Sequence, residues 1–244
     1  MKTAVLIPSR YASTRFPGKP LFLIKGKPLI WHVCQRAKQS AADFIAVATD
    51  DNRIYDTVKG FGFNVFMTPD TCKSGTDRIA FVAQNYLKDY ALFINIQGDE
   101  PLIDPQLINE MSLELKNKAD LDFITAAYPI NNEADILSPD IVKVVFDKNG
   151  YALYFSRSPI PYNRTKEPII CYKHIGVYGY KRDFLMEFAN TQSHLLEKTE
   201  SLEQLRVLEN SHKAKVIIAH KDTVGVDVPS DIAKVEAYLD EIKD

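Results

Sequence analysis

Residues 3–8 read TAVLIP, an apolar run in which no polar side chain alternates. A strand with one wet face alternates apolar and polar residues, so an unbroken run marks a strand covered on both faces. Such strands belong to largely parallel sheets flanked by crossover helices, and the rest of the first half follows that grammar. Residues 28–40 pattern as a helix and 43–49 (DFIAVAT) as a second strand. Asp50 is placed to cap a helix over 51–61, and 64–67 form a short third strand. Gly75 opens a helix over 76–87. Residues 91–96 (ALFINI) are a strand that stops at Gln97-Gly98-Asp99-Glu100-Pro101, and Asp104 caps a helix that Pro105 starts.

Beyond about residue 120 the pattern turns β-rich. Residues 122–128 form a strand, and VKVVFDKNGYALYFS (142–156) is two apolar runs joined by a turn in which Gly150 is free to take a positive φ. Residues 173–180 are a further strand, with helices over 182–190 and 199–210. A strand over 215–219 and a helix over 230–242 close the chain. The expected fold is α/β: one domain with a mixed, mostly parallel central sheet and a smaller β-rich subdomain.

Charge narrows the function. Thirty Lys plus Arg stand against 32 Asp plus Glu, a formal net charge of −2, which gives no bulk attraction to nucleic acid or an anionic membrane. No run reaches the roughly 20 apolar residues that span a bilayer, and Pro8 and Arg10 interrupt the first apolar run before it could serve as a secretory segment, so the expected location is cytoplasmic. Cys34, Cys72 and Cys171 are too few and too scattered for a disulfide framework and read as packing residues. The five histidines form no zinc spacing.

Ligands of open α/β sheets gather beyond the carboxyl ends of the strands. The loop after the first strand, SRYASTRFPGKP, carries Arg10, Arg15 and Lys19, cations suited to a polyphosphate, yet it is neither a P-loop nor a dinucleotide fingerprint. Asp99, at the end of ALFINI beside Gly98, is a hard oxygen donor for a cation such as Mg²⁺. Lys73 to Arg78 (KSGTDR) open a helix whose first N–H groups suit an anion or a base edge. Asp227, in GVDVP before the last helix, is another carboxylate at an element boundary.

Together these segments carry a resemblance. RYASTRFPGKP, SGTDR, INIQGDEP, KVVFDKNGYALYFSRSPIP, HIGVYGY, LEQLRVLE and VDVPSDI, in this order along nearly the whole chain, resemble the 3-deoxy-manno-octulosonate cytidylyltransferases, the CMP-Kdo synthetases. The resemblance implies a nucleotide-diphospho-sugar transferase (Rossmann-like) fold, a homodimer, and the Mg²⁺-dependent reaction of CTP with Kdo to give CMP-Kdo and pyrophosphate for lipopolysaccharide synthesis. It implies a nucleotide-binding part over about 1–120, a sugar-binding and dimerisation part over about 121–226, and a closing segment, 227–244, that brings a metal ligand. Arg10, Arg15 and Lys19 would bind the CTP phosphates, with Lys19 at the departing pyrophosphate. Ser74, Arg78 and Gln97 would line the nucleotide pocket, and Asp99 and Asp227 would hold Mg²⁺. Arg157 would clamp the carboxylate of the sugar acid, and His174, Glu203 and Gln204 would meet its hydroxyls.

The acceptor stays open among Kdo, its 8-amino-8-deoxy analogue and a nonulosonic acid. A non-catalytic nucleotide-binding module is the reading from a different class, and the pair Asp99 and Asp227 speaks against it, because a module that only binds needs no two carboxylates on one metal. Relatives commonly read Asp-Thr-Pro where this chain has Asp227-Val228-Pro229, which predicts the loss of a helix cap worth about 1 kcal/mol. The segment between Pro161 and His174 is also shorter than in some relatives.

Overall fold

A computed structural model describes residues 1–12 and 16–241; Arg15 lies outside the described residues. The strand of the TAVLIP run is β1 (Thr3–Ser9), buried along its whole length. A short hairpin, β2 (Leu23–Ile24) and β3 (Lys27–Pro28), leads into α1 (Leu29–Lys38). Then come β4 (Phe44–Thr49), α2 (Asn52–Gly60), β5 (Asn64–Met67), α3 (Gly75–Tyr86), β6 (Leu92–Ile96) and α4 (Pro105–Asn117). The second half runs β7 (Phe123–Ile130), α5 (Glu133–Leu137), β8 (Lys143–Phe146), β9 (Ala152–Ser156), β10 (Cys171–Lys181), α6 (Arg182–Asn190), α7 (Leu195–Glu200), α8 (Leu205–Glu209), β11 (Ala214–Ile218) and α9 (Asp231–Glu241).

The central sheet has the order β11-β7-β10-β6-β1-β4-β5, with the β8–β9 hairpin attached to β10. β1 lies parallel to both β4 and β6, and β5 extends the parallel half. β10 runs antiparallel to β6 and β7, which makes the sheet mixed. Period-2 geometry sends alternate side chains of one strand to opposite faces. Ala4 and Leu6 of β1 join a core with α3 and α6, while Val5 and Ile7 join a second core with α1, α2 and α4. The two cores explain why TAVLIP carries no polar face.

Local chemistry accounts for most boundaries. Asp104 caps α4 through Gln106 N–H at 3.2 Å, with Pro105 in the first turn as expected. Ser74 and Asp77 form a capping box on α3. Gly150, at φ 76°, closes the β8–β9 turn. Three expectations need correction. Asp51, not Asp50, caps α2 through Arg53 N–H at 2.9 Å. The single helix expected over 199–210 is two helices, because Ser201 takes a left-handed φ of 53° after α7. The short helix α5 was not anticipated; Asn132 caps it. Ahead of α9 the Asp231 carboxylate accepts N–H bonds from Asp227 at 3.0 Å and Val228 at 3.1 Å, which tie the loop to the helix start.

Candidate active site

Two cavities adjoin beyond the carboxyl ends of β1 and β6. One, of about 250 Å³, is lined by Arg10, Lys19, Ser74, Arg78, Gln97, Asp99 and Asp227 among others. The other, of about 450 Å³, is lined by His174, Glu203, Gln204, Glu100, Lys173 and neighbours, and it shares Gly75, Gln97 and Asp227 with the first. The structure therefore gathers the expected nucleotide residues it describes around one cavity and three of the four expected sugar residues around the next.

The backbone approach at this junction is close. A Cβ added to Gly98 would lie 3.0 Å from the Pro8 carbonyl oxygen, so only glycine lets the β6 loop pass the end of β1 at this distance. The main chains of the two acidic segments meet, with Val226 N–H donating to Asp99 O at 2.9 Å. Lys19, in a 3₁₀ turn, donates from Nζ to Asp99 Oδ2 at 2.5 Å and to Val226 O at 2.7 Å, and lies 3.8 Å from Asp227 Oδ1. One ammonium group thus sits between both carboxylates.

On the nucleotide side, Lys73, Ser74 and Gly75 at the start of α3 line the cavity, where the positive end of the helix dipole favours phosphate oxygens although Asp77 already accepts the Lys73 and Ser74 N–H groups. Arg78 is almost fully buried, and its guanidinium is held by Asp50 Oδ2 at 2.7 Å and by the Thr68 hydroxyl. This gives Asp50 its place: it fixes Arg78 rather than capping a helix.

On the acceptor side, proton positions follow from the hydrogen-bond network. The Thr125 hydroxyl donates to Val177 O at 2.8 Å, so it accepts from His174 Nε2–H at 2.8 Å, which leaves Nδ1 bare to accept from Gln204 Nε2 at 3.4 Å. Burial holds the His174 imidazolium at bay, with its pKa pushed down to about 3. Glu203 Oε2 accepts from the Thr76 hydroxyl at 2.8 Å, which joins the acceptor cavity to α3. Burial raises the Glu203 pKa, opposed by the Thr76 bond and by Arg206. Glu100, which the sequence presents as one residue of a turn, is pushed up to about 8 by burial and by the neighbouring charge of Asp99.

His174 makes folding sensitive to acid. Its folded pKa lies below the ordinary 6.5, so between pH 6.5 and about 3 the unfolded chain binds the proton and the native one does not. Stability falls as pH drops through that window, by about 1.4 kcal/mol per pH unit. His174→Gln is expected to remove that slope. Its melting temperature should fall less between pH 7 and pH 5 than that of the wild type, by about 4–8 °C for a chain of this size. Parallel melts of the two proteins would refute this reading of His174.

Arg157 is placed differently from the expectation. It lines neither cavity: its Nε donates to Glu200 O at 2.9 Å and its Nη1 to Pro139 O at 2.9 Å, while its backbone N–H meets Glu200 Oε2 at 2.9 Å. Beside it Lys143, fully buried, donates to the carbonyls of Ser138, Ile141 and Arg157 at 2.6–2.7 Å. Both cations brace the loop at 138–141 behind the acceptor cavity, and β9 turns Arg157 toward that loop. Arg157→Ala is accordingly expected to lower the melting temperature and leave CTP binding unchanged. A Kdo-specific defect with an unshifted melt would restore Arg157 to the substrate.

The three cysteines are unpaired, and burial raises the pKa of each thiol, that of Cys34 to about 12.

Residues 4–217 match the cytidylyltransferase family model. A 3-deoxy-manno-octulosonate cytidylyltransferase of Desulfosudis oleivorans is 48% identical over 242 residues, covering 98% of this chain and 98% of that protein. An 8-amino-3,8-dideoxy-manno-octulosonate cytidylyltransferase of Shewanella baltica is 49% identical over 242 residues, with 98% of this chain and 99% of that protein covered. Among solved structures, a CMP:2-keto-3-deoxy-manno-octonic acid synthetase complexed with CTP superposes with a TM-score of 0.93 at 39% identity, over 99% of each chain.

Proposed function

This chain belongs to the cytidylyltransferase family, and from that membership we propose that it transfers the CMP unit of CTP to the anomeric hydroxyl of Kdo and releases pyrophosphate. The observation that carries the reading is the pair of adjoining cavities, one rich in cations and the other in hydroxyl-binding groups, with Lys19, Asp99 and Asp227 near their junction. Phosphoryl-type transfer asks a protein mainly for positioning and charge neutralisation. Arg10, Lys19 and the first turn of α3 neutralise the triphosphate. Gln97 and Arg78 meet the nucleoside. His174, Glu203 and Gln204 hold the sugar so that its anomeric oxygen faces the α-phosphorus in line with the leaving pyrophosphate. The new bond joins that oxygen to phosphorus, the bond to pyrophosphate breaks, and Lys19 offsets the charge that develops on the leaving group.

The donor set suits a hard divalent cation. Asp99 and Asp227 already draw the Lys19 ammonium between them, and Mg²⁺ takes one or two carboxylates with the remaining oxygens from substrate phosphates. The absence of a three-ligand protein cluster among the described residues is compatible with that mode. Mg²⁺ held by Asp99 and Asp227 would supply Lewis-acid neutralisation of phosphate charge and acidify the attacking hydroxyl.

A dimer is supported by one surface. Tyr162, Ile170 and Leu137 are 87, 64 and 61% exposed, and Leu137 and Tyr162 line an apolar groove of about 490 Å³ with Ile169 and Pro161. We place the reaction in the cytoplasm, where CTP is made. The relative that uses the 8-amino sugar makes that analogue the second acceptor to test. Incubation with CTP, Mg²⁺ and either acid should release pyrophosphate, and EDTA should abolish it. A strong preference for ATP or GTP would end the cytidylyl reading, and full turnover in EDTA would end the metal assignment.

A further inference from the structure

The acceptor cavity has two carboxylate oxygens that are closed off from water and lack a hydrogen-bond partner among the described residues: Glu203 Oε1 and Glu100 Oε2. Glu203 Oε1 has Arg206 Nη2 at 3.5 Å. Glu100 has no comparable support. The cation on its wall, Lys173, is committed to Asp222 at 2.5 Å, and the charges that flank it, Asp99 and Asp227, are of its own sign. A buried carboxylate oxygen without a donor is costly to a fold, and like charges beside it add to the cost.

The chain holds this carboxylate in place. The Thr223 hydroxyl bonds to it, and Gly225 leaves it room, since a Cβ there would sit 3.1 Å from Glu100 Oε1. One side of the carboxyl group is therefore fixed by the 223–225 segment, while the residue lines a cavity of about 450 Å³ whose other walls carry His174, Gln204 and Tyr178. A buried carboxyl group left short of a partner on the wall of a cavity is placed to share a hydrogen bond with a group from outside the chain.

We propose that Glu100 is a further acceptor-binding residue: its carboxyl group shares a hydrogen bond with a hydroxyl of the sugar acid's polyol chain and so seats the sugar beside Asp99 and Asp227. The proposal rests on the sugar-acid reading given above. A polyol suits the site because it brings hydrogen-bonding groups without charge, whereas the sugar's own carboxylate would meet the negative charges of Asp99 and Asp227 that flank Glu100.

The test pairs Glu100→Ala with Glu100→Gln in the full chain. Glu100→Ala should raise the Kdo KM about five- to tenfold, the worth of a hydrogen bond, and leave the calorimetric Kd for CTP within about twofold. Glu100→Gln keeps the size of the side chain and its hydrogen-bonding capacity and should recover part of the loss, with a melting temperature close to that of the wild type. An unchanged Kdo KM in Glu100→Ala, an equal loss for CTP, or a lower melt in Glu100→Gln would each overturn the assignment. Wild-type turnover of Kdo is the control. Its absence with both Kdo and the 8-amino sugar would overturn the sugar-acid reading, whereas turnover with an indifferent Glu100→Ala overturns the Glu100 proposal alone.

Discussion

Asp99→Asn and Asp227→Asn are each expected to lower kcat by roughly two to three orders of magnitude while the fold melts at nearly the wild-type temperature. Each substitution keeps the size of the side chain and removes its charge, so the proposed Mg²⁺ would lose an anionic ligand and, with it, part of the phosphate neutralisation it would supply. Electrostatic groups aimed at developing charge in a water-poor site carry effects of that size. The melt should move little because both side chains sit near the mouth of the site, Asp99 at 32% and Asp227 at 56% exposure. Asp99→Asn also weakens the contact that Lys19 makes at 2.5 Å, and Lys19 keeps the Val226 carbonyl at 2.7 Å, so the 3₁₀ turn stays anchored. The measurement is kcat across a Mg²⁺ titration beside a thermal melt. A variant with near wild-type kcat at low Mg²⁺ would show that its residue is not a ligand.

Arg206→Met should produce the largest loss of stability. Arg206 is 8% exposed, and its guanidinium makes two short bonds to the Glu197 carboxylate, at 2.7 and 2.5 Å, with further bonds to the carbonyls of Phe188 and Thr191. The Glu197 pairing raises its pKa further, so the charge is permanent. Removing one partner of a buried pair leaves the other charge uncompensated, at a cost of about 3–5 kcal/mol. For a chain of this length that corresponds to a melting temperature lower by about 6–20 °C. Because Arg206 joins α6, α7 and α8 and stands behind Glu203, acceptor affinity should weaken along with stability. Calorimetry decides the matter, and a shift under about 2 °C would mean that water reaches the pair.

Periodicity and turn chemistry made the parallel half of the sheet legible. TAVLIP declared a strand buried on both faces, Asp104-Pro105 and Gly75 declared helix starts, and Gly150 declared a hairpin, because each is set by residues within a few positions of one another. The nucleotide residues that the structure describes, Arg10, Lys19, Ser74, Arg78 and Gln97, together with Asp99, could be located from the strands and the helix start they follow, since a parallel sheet delivers its strand ends to one edge.

Partners that meet across the fold were not legible in this way. Asp50 looked like a cap because nothing near it in sequence names Arg78, 28 positions on. Arg157 ends a strand as a substrate clamp would, yet Glu200 and Pro139 claim it. Ser201 split one amphipathic pattern into two helices, and the turn it made, 201–204, is a wall of the acceptor cavity. Glu100 read as a turn residue until burial beside Asp99 and Asp227 left one of its oxygens without a partner. The sequence by itself determined which strands are covered, where helices begin, and that cations and carboxylates stand at strand ends, because burial direction and capping are local properties of the chain. Only the tertiary structure decided which charges neutralise one another and which remain open to substrate, because desolvation and pairing depend on groups brought together from 28 to 207 residues apart.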